Sequence, residues 1–124
     1  MNIASLLHAG LLVSDLDRAR AFYEGVLGLP VHKSRPDLGY PGVWYDLGTQ
    51  QIHLMVLPNP DPVVGRPAHG GRDRHLALAV DDLAALNSAL EANGIAFTMS
   101  RSGRAALFCR DPDVNALEFV EQGR

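Results

Sequence analysis

The segment His8-Ala-Gly-Leu-Leu-Val-Ser-Asp-Leu returns 67 residues later as His75-Leu-Ala-Leu-Ala-Val-Asp-Asp-Leu, with His, Leu, Val, Asp and Leu at matching places. A chain that repeats itself in this way is built from two copies of one module, so whatever one copy folds into the other must fold into as well. A second pair of segments agrees. Ile52-His53-Leu54 and Leu117-Glu118-Phe119 each set one ligand-type side chain between apolar neighbours, 65 residues apart. Four potential metal ligands, His8, His53, His75 and Glu118, therefore fall into two equivalent pairs.

At 124 residues the chain is long enough to bury a core without staples. Its net charge of −3 and scattered arginines give no basic surface for a nucleic acid or an anionic membrane, and neither partner is expected. The single cysteine, Cys109, rules out an internal disulfide and lies in apolar sequence, which reads as a buried thiol. The start carries no basic segment followed by a long apolar run, and no stretch approaches the roughly 20 apolar residues of a membrane span. The expectation is a cytoplasmic protein.

The first module, 1–57, opens with a strand expected over Ile3–Val13, apolar on both faces and so expected to be buried on both. Ser14 is the expected N-cap of a helix over Asp15–Leu27, in which Leu16, Ala19, Phe22, Tyr23, Val26 and Leu27 recur at helical spacing before Gly28. Strands follow at Pro30–Ser34, Val43–Leu47 and Gln51–Leu57, the last two joined by a tight hairpin at Gly48-Thr49-Gln50. The Pro-, Gly- and charge-rich stretch 58–74 reads as a connector. The second module, 75–124, repeats the order. A strand at His75–Val80 leads to a helix capped by Asp81 and ending at Gly94. Further strands are expected at Ala96–Met99, Ala105–Cys109 and Ala116–Glu121. The turn Asp111-Pro112-Asp113-Val114-Asn115 precedes the last strand, with Asn115 the residue expected at positive φ. The fold class is α+β, two tandem βαβββ modules. Phe22, Tyr23 and Phe97 read as core, and His32 and His69 as surface or loop residues.

The arrangement of His8 on the first strand, Ser14-Asp15-Leu16 through Phe22-Tyr23 and Leu27-Gly28, His75 with Val80-Asp81-Asp82-Leu83, and Asp111-Pro112-Asp113 before Leu117-Glu118 resembles the vicinal oxygen chelate superfamily. That group holds glyoxalase I, fosfomycin-resistance transferases, extradiol dioxygenases, methylmalonyl-CoA epimerase and bleomycin-binding proteins. The resemblance covers almost the whole chain. It implies two modules whose sheets form one curled mixed sheet, with inward metal ligands on the first and last strands of each module. On this sequence those ligands are His8, His53, His75 and Glu118. Three imidazoles and a carboxylate suit a divalent Zn, Ni, Co, Fe or Mn ion rather than a magnesium or calcium cage. An unpaired Glu118 carboxylate between Leu117 and Phe119 would be costly to bury, and the metal would supply its partner.

The resemblance also implies the chemistry. In glyoxalase-like members the metal polarises adjacent substrate oxygens while a carboxylate moves a proton, and Glu118 would be ligand and base. In the extradiol type His8, His75 and Glu118 would hold Fe(II). Several positions depart from the pattern. His53 stands where bacterial glyoxalase I has a carboxylate, Leu12 where it has an arginine for the glutathione carboxylate, Leu57 near its Asn, and Gly10 where fosfomycin-type members have Thr. Glutathione-dependent glyoxalase I is thereby disfavoured. A binder of the bleomycin-resistance sort, without metal, would instead use a groove lined by Tyr40, Trp44, Tyr45 and Phe108. Arg72, Arg74, Arg101 and Arg104 flank second-module strands, where one could meet a substrate carboxylate. Small members of the group commonly form homodimers, so a twofold dimer acting on a small-molecule substrate is the expectation.

Overall fold

A computed structural model describes residues 1–123 as two compact units, one running to Pro60 and the other from Asp61 onward. The architecture is α+β. In the first unit β1 (His8–Val13) pairs in parallel with β3 (Gln50–Val56), which pairs antiparallel with β2 (Gly42–Leu47), giving the order β1-β3-β2. In the second unit β4 (His75–Val80), β5 (Phe97–Met99), β6 (Ala106–Arg110) and β7 (Ala116–Glu121) form a sheet of order β4-β7-β6-β5. The parallel pairs β1·β3 and β4·β7 are the same feature in each unit, as the repeat demands. Among the described residues no helix is long and apolar enough to cross a membrane.

Period-two alternation divides each sheet into a packed face and a site face. In the first unit Val13, Ile52, Leu54, Val43 and Tyr45 are buried together with Ala19, Phe22 and Tyr23 of the helix that follows β1. In the second, Leu107, Cys109, Leu117 and Phe119 are buried with Leu83, Leu86 and Leu90 of α2 (Leu83–Ala92). Desolvation there pushes the Cys109 thiol up to about 12, as befits an inert core residue.

Several elements differ from the sequence reading. β1 begins at His8, not Ile3, and it is not buried on both sides: His8 and Gly10 are exposed and only Val13 is buried. It is an edge strand with one neighbour, so half its backbone and one of its faces lack a covering element within the unit. The expected strand at Pro30–Ser34 shrinks to a single bridge between Val31 and Tyr45. Pro30 has no N–H to give a ladder, and the pairing consists of His32 N to Trp44 O and Asp46 N to Pro30 O. The first helix is α-helical only over Leu16–Arg20 (α1), then widens to π-turns over Ala21–Val26. There Leu27 N reaches back five residues to Phe22 O, in the stretch that holds Phe22 and Tyr23 against the sheet.

Both helix caps lie one residue beyond the expected ones. Asp15, not Ser14, accepts Arg18 N at 3.1 Å, and Asp82, not Asp81, accepts Ala85 N at 3.0 Å. The side-chain oxygen must reach the N–H three residues on, and only these two aspartates stand at that distance from the first turn. Gly48 and Thr49 form a two-residue hairpin turn with Gly48 at φ 59°, a conformation open to glycine at that position. Phe97, expected in the core, is half-buried at the start of the short β5.

The turn before β7 corrects another expectation. Val114, not Asn115, takes the positive φ, at 61°. Asn115 is held otherwise: Asp111 accepts its backbone N–H at 2.9 Å and its side-chain amide at 2.8 Å. The strain falls on a β-branched residue, for which the left-handed region costs about 1–2 kcal/mol or more. Val114→Gly should therefore stabilise the protein by about 1 kcal/mol, after allowing for the looser unfolded chain, and raise Tm by about 4 °C in a thermal melt. A lower Tm would mean that contacts of the Val114 side chain outweigh the strain.

Candidate metal centre

On the site face of the first sheet, His8 lies beside Gln51 and Asp46, and Gly10 beside His53 and Trp44. Gly10, opposite His53, brings no side chain, and the His8 ring lies over His53 instead, centroids 3.9 Å apart and planes 15° from parallel. Trp44 stacks with His53 at 3.9 Å and 3°. His53 is thus sandwiched between His8 and Trp44. Tyr45, considered above as a groove residue, faces the other way: it is fully buried and donates to Glu24 at 2.8 Å.

His53 Nε2 lies 2.8 Å from Gln51 Oε1, Gln51 Nε2 donates to Asp46 Oδ1 at 3.0 Å, and Asp46 is 3.0 Å from His32 Nδ1. His32 is therefore no loose surface residue but the end of a polar chain leading to a candidate ligand. Sequence reasoning missed Gln51, Asp46 and His32, although Gln51 and His53 at i and i+2 on one strand were bound to share a face. Burial, with help from the nearby His8, His32 and Arg35, pushes the His53 imidazole down to about 4. It is neutral at neutral pH, the form that can bind a metal.

That depression has a consequence for stability. Between about pH 6.5, where a free imidazole titrates, and pH 4, the unfolded chain takes up a proton that folded His53 refuses. Stability should fall as pH falls through that window, and above it His53 has no effect. Urea midpoints at pH 7.5 and pH 5 should differ less in His53→Gln than in the parent protein. Equal differences would show that His53 titrates normally.

In the second unit Ala77, Glu118 and Phe108 are register neighbours on β4, β7 and β6, with His75 one step along on the same face. The His75 Nδ1 lies 2.8 Å from the Asp73 carbonyl, which can only accept, so Nδ1 carries a hydrogen and Nε2 is the nitrogen turned to the site. That nitrogen faces Glu118 Oε1 at 3.4 Å. The two groups converge there, and the contact is an ion pair whenever the ring carries its second proton. Phe108 sets its edge against the His75 ring, centroids 5.4 Å apart at 83°, and limits its rotation. Asp73 is itself fixed, by Arg66 at 2.9 Å and Arg110 at 2.8 Å, and these guanidiniums hold its carboxyl well below the usual range. The residue whose carbonyl orients His75 is thus clamped, another contribution that the sequence did not reveal.

Glu118 is 4% exposed but not unpartnered, contrary to the sequence argument. Arg104 reaches its Oε2 at 2.8 Å from a mostly exposed side chain. A long cation can cover a buried carboxylate while its own head stays in water, so burial of Glu118 does not by itself require a metal. Arg74, by contrast, pairs with Asp61 at 2.6 Å. Among the described residues no three His, Cys, Asp or Glu side chains gather closely enough to hold a metal ion. The four expected donors stand as two pairs, His8 with His53 and His75 with Glu118.

The model of the Glyoxalase/Bleomycin resistance protein/Dioxygenase superfamily matches residues 5–119. A lactoylglutathione lyase of Haemophilus influenzae is 31% identical over 94% of this chain and 91% of its own length. An uncharacterised protein of Bacillus subtilis is 32% identical over 98% of this chain and its full length. A crystal structure from Bacillus anthracis, described as a glyoxalase family protein, superposes with a TM-score of 0.80 at 24% identity and 98% coverage of both chains, a likeness of fold. With the family pattern extending from before β1 into β7, the chain belongs to the Glyoxalase/Bleomycin resistance protein/Dioxygenase superfamily.

Proposed function

We propose that the protein is a metal-dependent, glyoxalase-like enzyme of the lyase or isomerase type, in which His8, His53, His75 and Glu118 are the ligands of one divalent Zn, Ni, Co, Fe or Mn ion. The observation that carries the reading is the convergence of His75 Nε2 and the Glu118 carboxylate at 3.4 Å, with the imidazole already turned by the Asp73 carbonyl. An imidazole nitrogen and a carboxylate so placed would both serve as ligands of a divalent cation, and the neutral His53 stacked on His8 offers the same chemistry from the first unit. The relatives named lactoylglutathione lyase support the reaction class. Such an ion, once bound, would act as a Lewis acid toward adjacent oxygens of a small substrate.

The protein's own groups supply the rest. Glu118, the one carboxylate of the set, takes a proton from the carbon next to the substrate carbonyl and returns it to the neighbouring carbon. Phe108 and Trp44 limit water on the two half-sites. The active form we envisage is a cytoplasmic homodimer.

The Arg104 contact favours a second reading. With a guanidinium already at 2.8 Å, Glu118 is neutralised without metal, as a ligand-sequestering protein would require. Trp44, the sole tryptophan, stacks on His53 and reports on the site. Titration with Co(II), Ni(II) and Zn(II) should change its fluorescence, after which loaded protein should isomerise thiol adducts of 2-oxoaldehydes. Oxygen uptake with catechols instead would identify the extradiol chemistry of His8, His75 and Glu118. A protein indifferent to all three metals would support the metal-free binder.

A further inference from the structure

A guanidinium stands near the His8–His53 face with no acid to neutralise it. Arg20, Arg66, Arg74, Arg104 and Arg110 each hold a carboxylate, whereas Arg35 has none among the described residues. Its Nη2 donates to the Tyr40 carbonyl at 2.9 Å and its Cζ lies 5.4 Å from the centre of the Tyr40 ring. Its Nε is buried without an acceptor. A buried N–H left unpaired costs free energy.

The position of this group is set by Gly42. A methyl there would come within 2.9 Å of Arg35 Nη2 and 3.3 Å of its Cζ, besides meeting the Leu54 carbonyl at 2.3 Å. The Leu54 carbonyl alone bars a side chain at Gly42, and the guanidinium occupies the room that is left beside β2. Gly42 pairs with Met55 and Met55 with Leu12, the row two residues along from Trp44, His53 and Gly10. An unneutralised, partly desolvated arginine one row from the candidate ligand His53 has the chemistry of an anion subsite.

We propose that Arg35 binds a carboxylate carried by the substrate a few bonds away from the oxygens that meet the metal, so that the substrate class is a 2-oxo or 2-hydroxy acid with a second, distal carboxylate. The proposal rests on the reading of His8 and His53 as part of the substrate site. A planar fork of N–H donors matches a carboxylate better than a point cation would.

The test is calorimetric titration of Co(II)-loaded and metal-free protein with 2-oxoglutarate and 2-oxoadipate, against 2-oxovalerate, which has the same head but no distal carboxylate. The parent protein should bind the better diacid at least about tenfold more tightly than the monoacid, consistent with one added charge-assisted contact. Arg35→Met keeps an apolar side chain of similar length without the guanidinium and should abolish the preference, while Arg35→Lys should retain part of it. Thermal melts establish that both variants fold. Equal binding of diacids and monoacid by the parent, an unchanged preference in Arg35→Met, or no binding of either acid would overturn the proposal. Failure of the protein to take Co(II) would count against the metal reading alone, since a diacid preference of the metal-free protein that vanishes in Arg35→Met would still establish the arginine subsite.

Discussion

Glu118→Gln should lower turnover by about two to four orders of magnitude, the usual worth of a positioned general base, and should weaken metal binding as well. The substitution keeps the volume of the side chain between Leu117 and Phe119 and keeps an oxygen for Arg104, so the packed face of β7 is undisturbed. What it removes is the negative charge opposite His75 Nε2. Arg104 loses its ion pair but remains largely in water, so the cost to folding should stay within about 1 kcal/mol. Arg104→Gln has the opposite sign for metal: with the competing guanidinium gone, Glu118 should hold the ion more tightly. A Glu118→Gln variant that keeps full turnover would remove Glu118 from the mechanism, and one that unfolds would show the residue to be structural. Circular dichroism separates these outcomes.

His75→Ala should cost roughly a hundredfold in metal affinity. Four-ligand zinc sites are worth about 10–16 kcal/mol, so one ligand in four represents about 3 kcal/mol, and each 1.4 kcal/mol is tenfold. The natural control is His69. It too touches Phe108, with centroids 4.9 Å apart, but its Nδ1 accepts Gly71 N at 3.0 Å and caps the turn Gly70–Arg72. His69→Ala should shift stability slightly and leave metal affinity unchanged. Equal effects of the two substitutions would point to packing against Phe108 rather than ligation. Trp44 fluorescence and direct metal analysis both give the affinity.

The repeat carried most of what could be read from the residues. It aligned His8 with His75 and, less obviously, Asp15 with Asp82, which are the two helix caps. Ser14 and Asp81 are related by the same 67-residue offset, so the repeat alone does not choose between the two pairs; the hydrogen bonds to Arg18 N and Ala85 N do. The strand at Pro30–Ser34 was less legible, because local β-propensity does not say whether a partner edge is in reach, and Pro30 limits what can be paired. Placement of His53 and Glu118 on site faces followed from alternation along β3 and β7. Their polar partners did not. Gln51 acts two residues from His53, but Arg104 is 14 residues from Glu118, and the clamp on Asp73 spans 37 residues to Arg110. Such contacts depend on how loops fold back on a sheet, which no periodicity encodes. The same holds for Arg35, whose place is legible only once Gly42 is seen to yield room for it.

Elemental analysis of protein purified without added metal, with the protein concentration taken from amino-acid analysis, should find close to one Zn, Ni, Co, Fe or Mn per chain, and the same analysis of His75→Ala should find it lost. Protein that carries no such metal, and whose Trp44 fluorescence is unmoved by any of the five, would contradict the assignment of His8, His53, His75 and Glu118 as a metal centre.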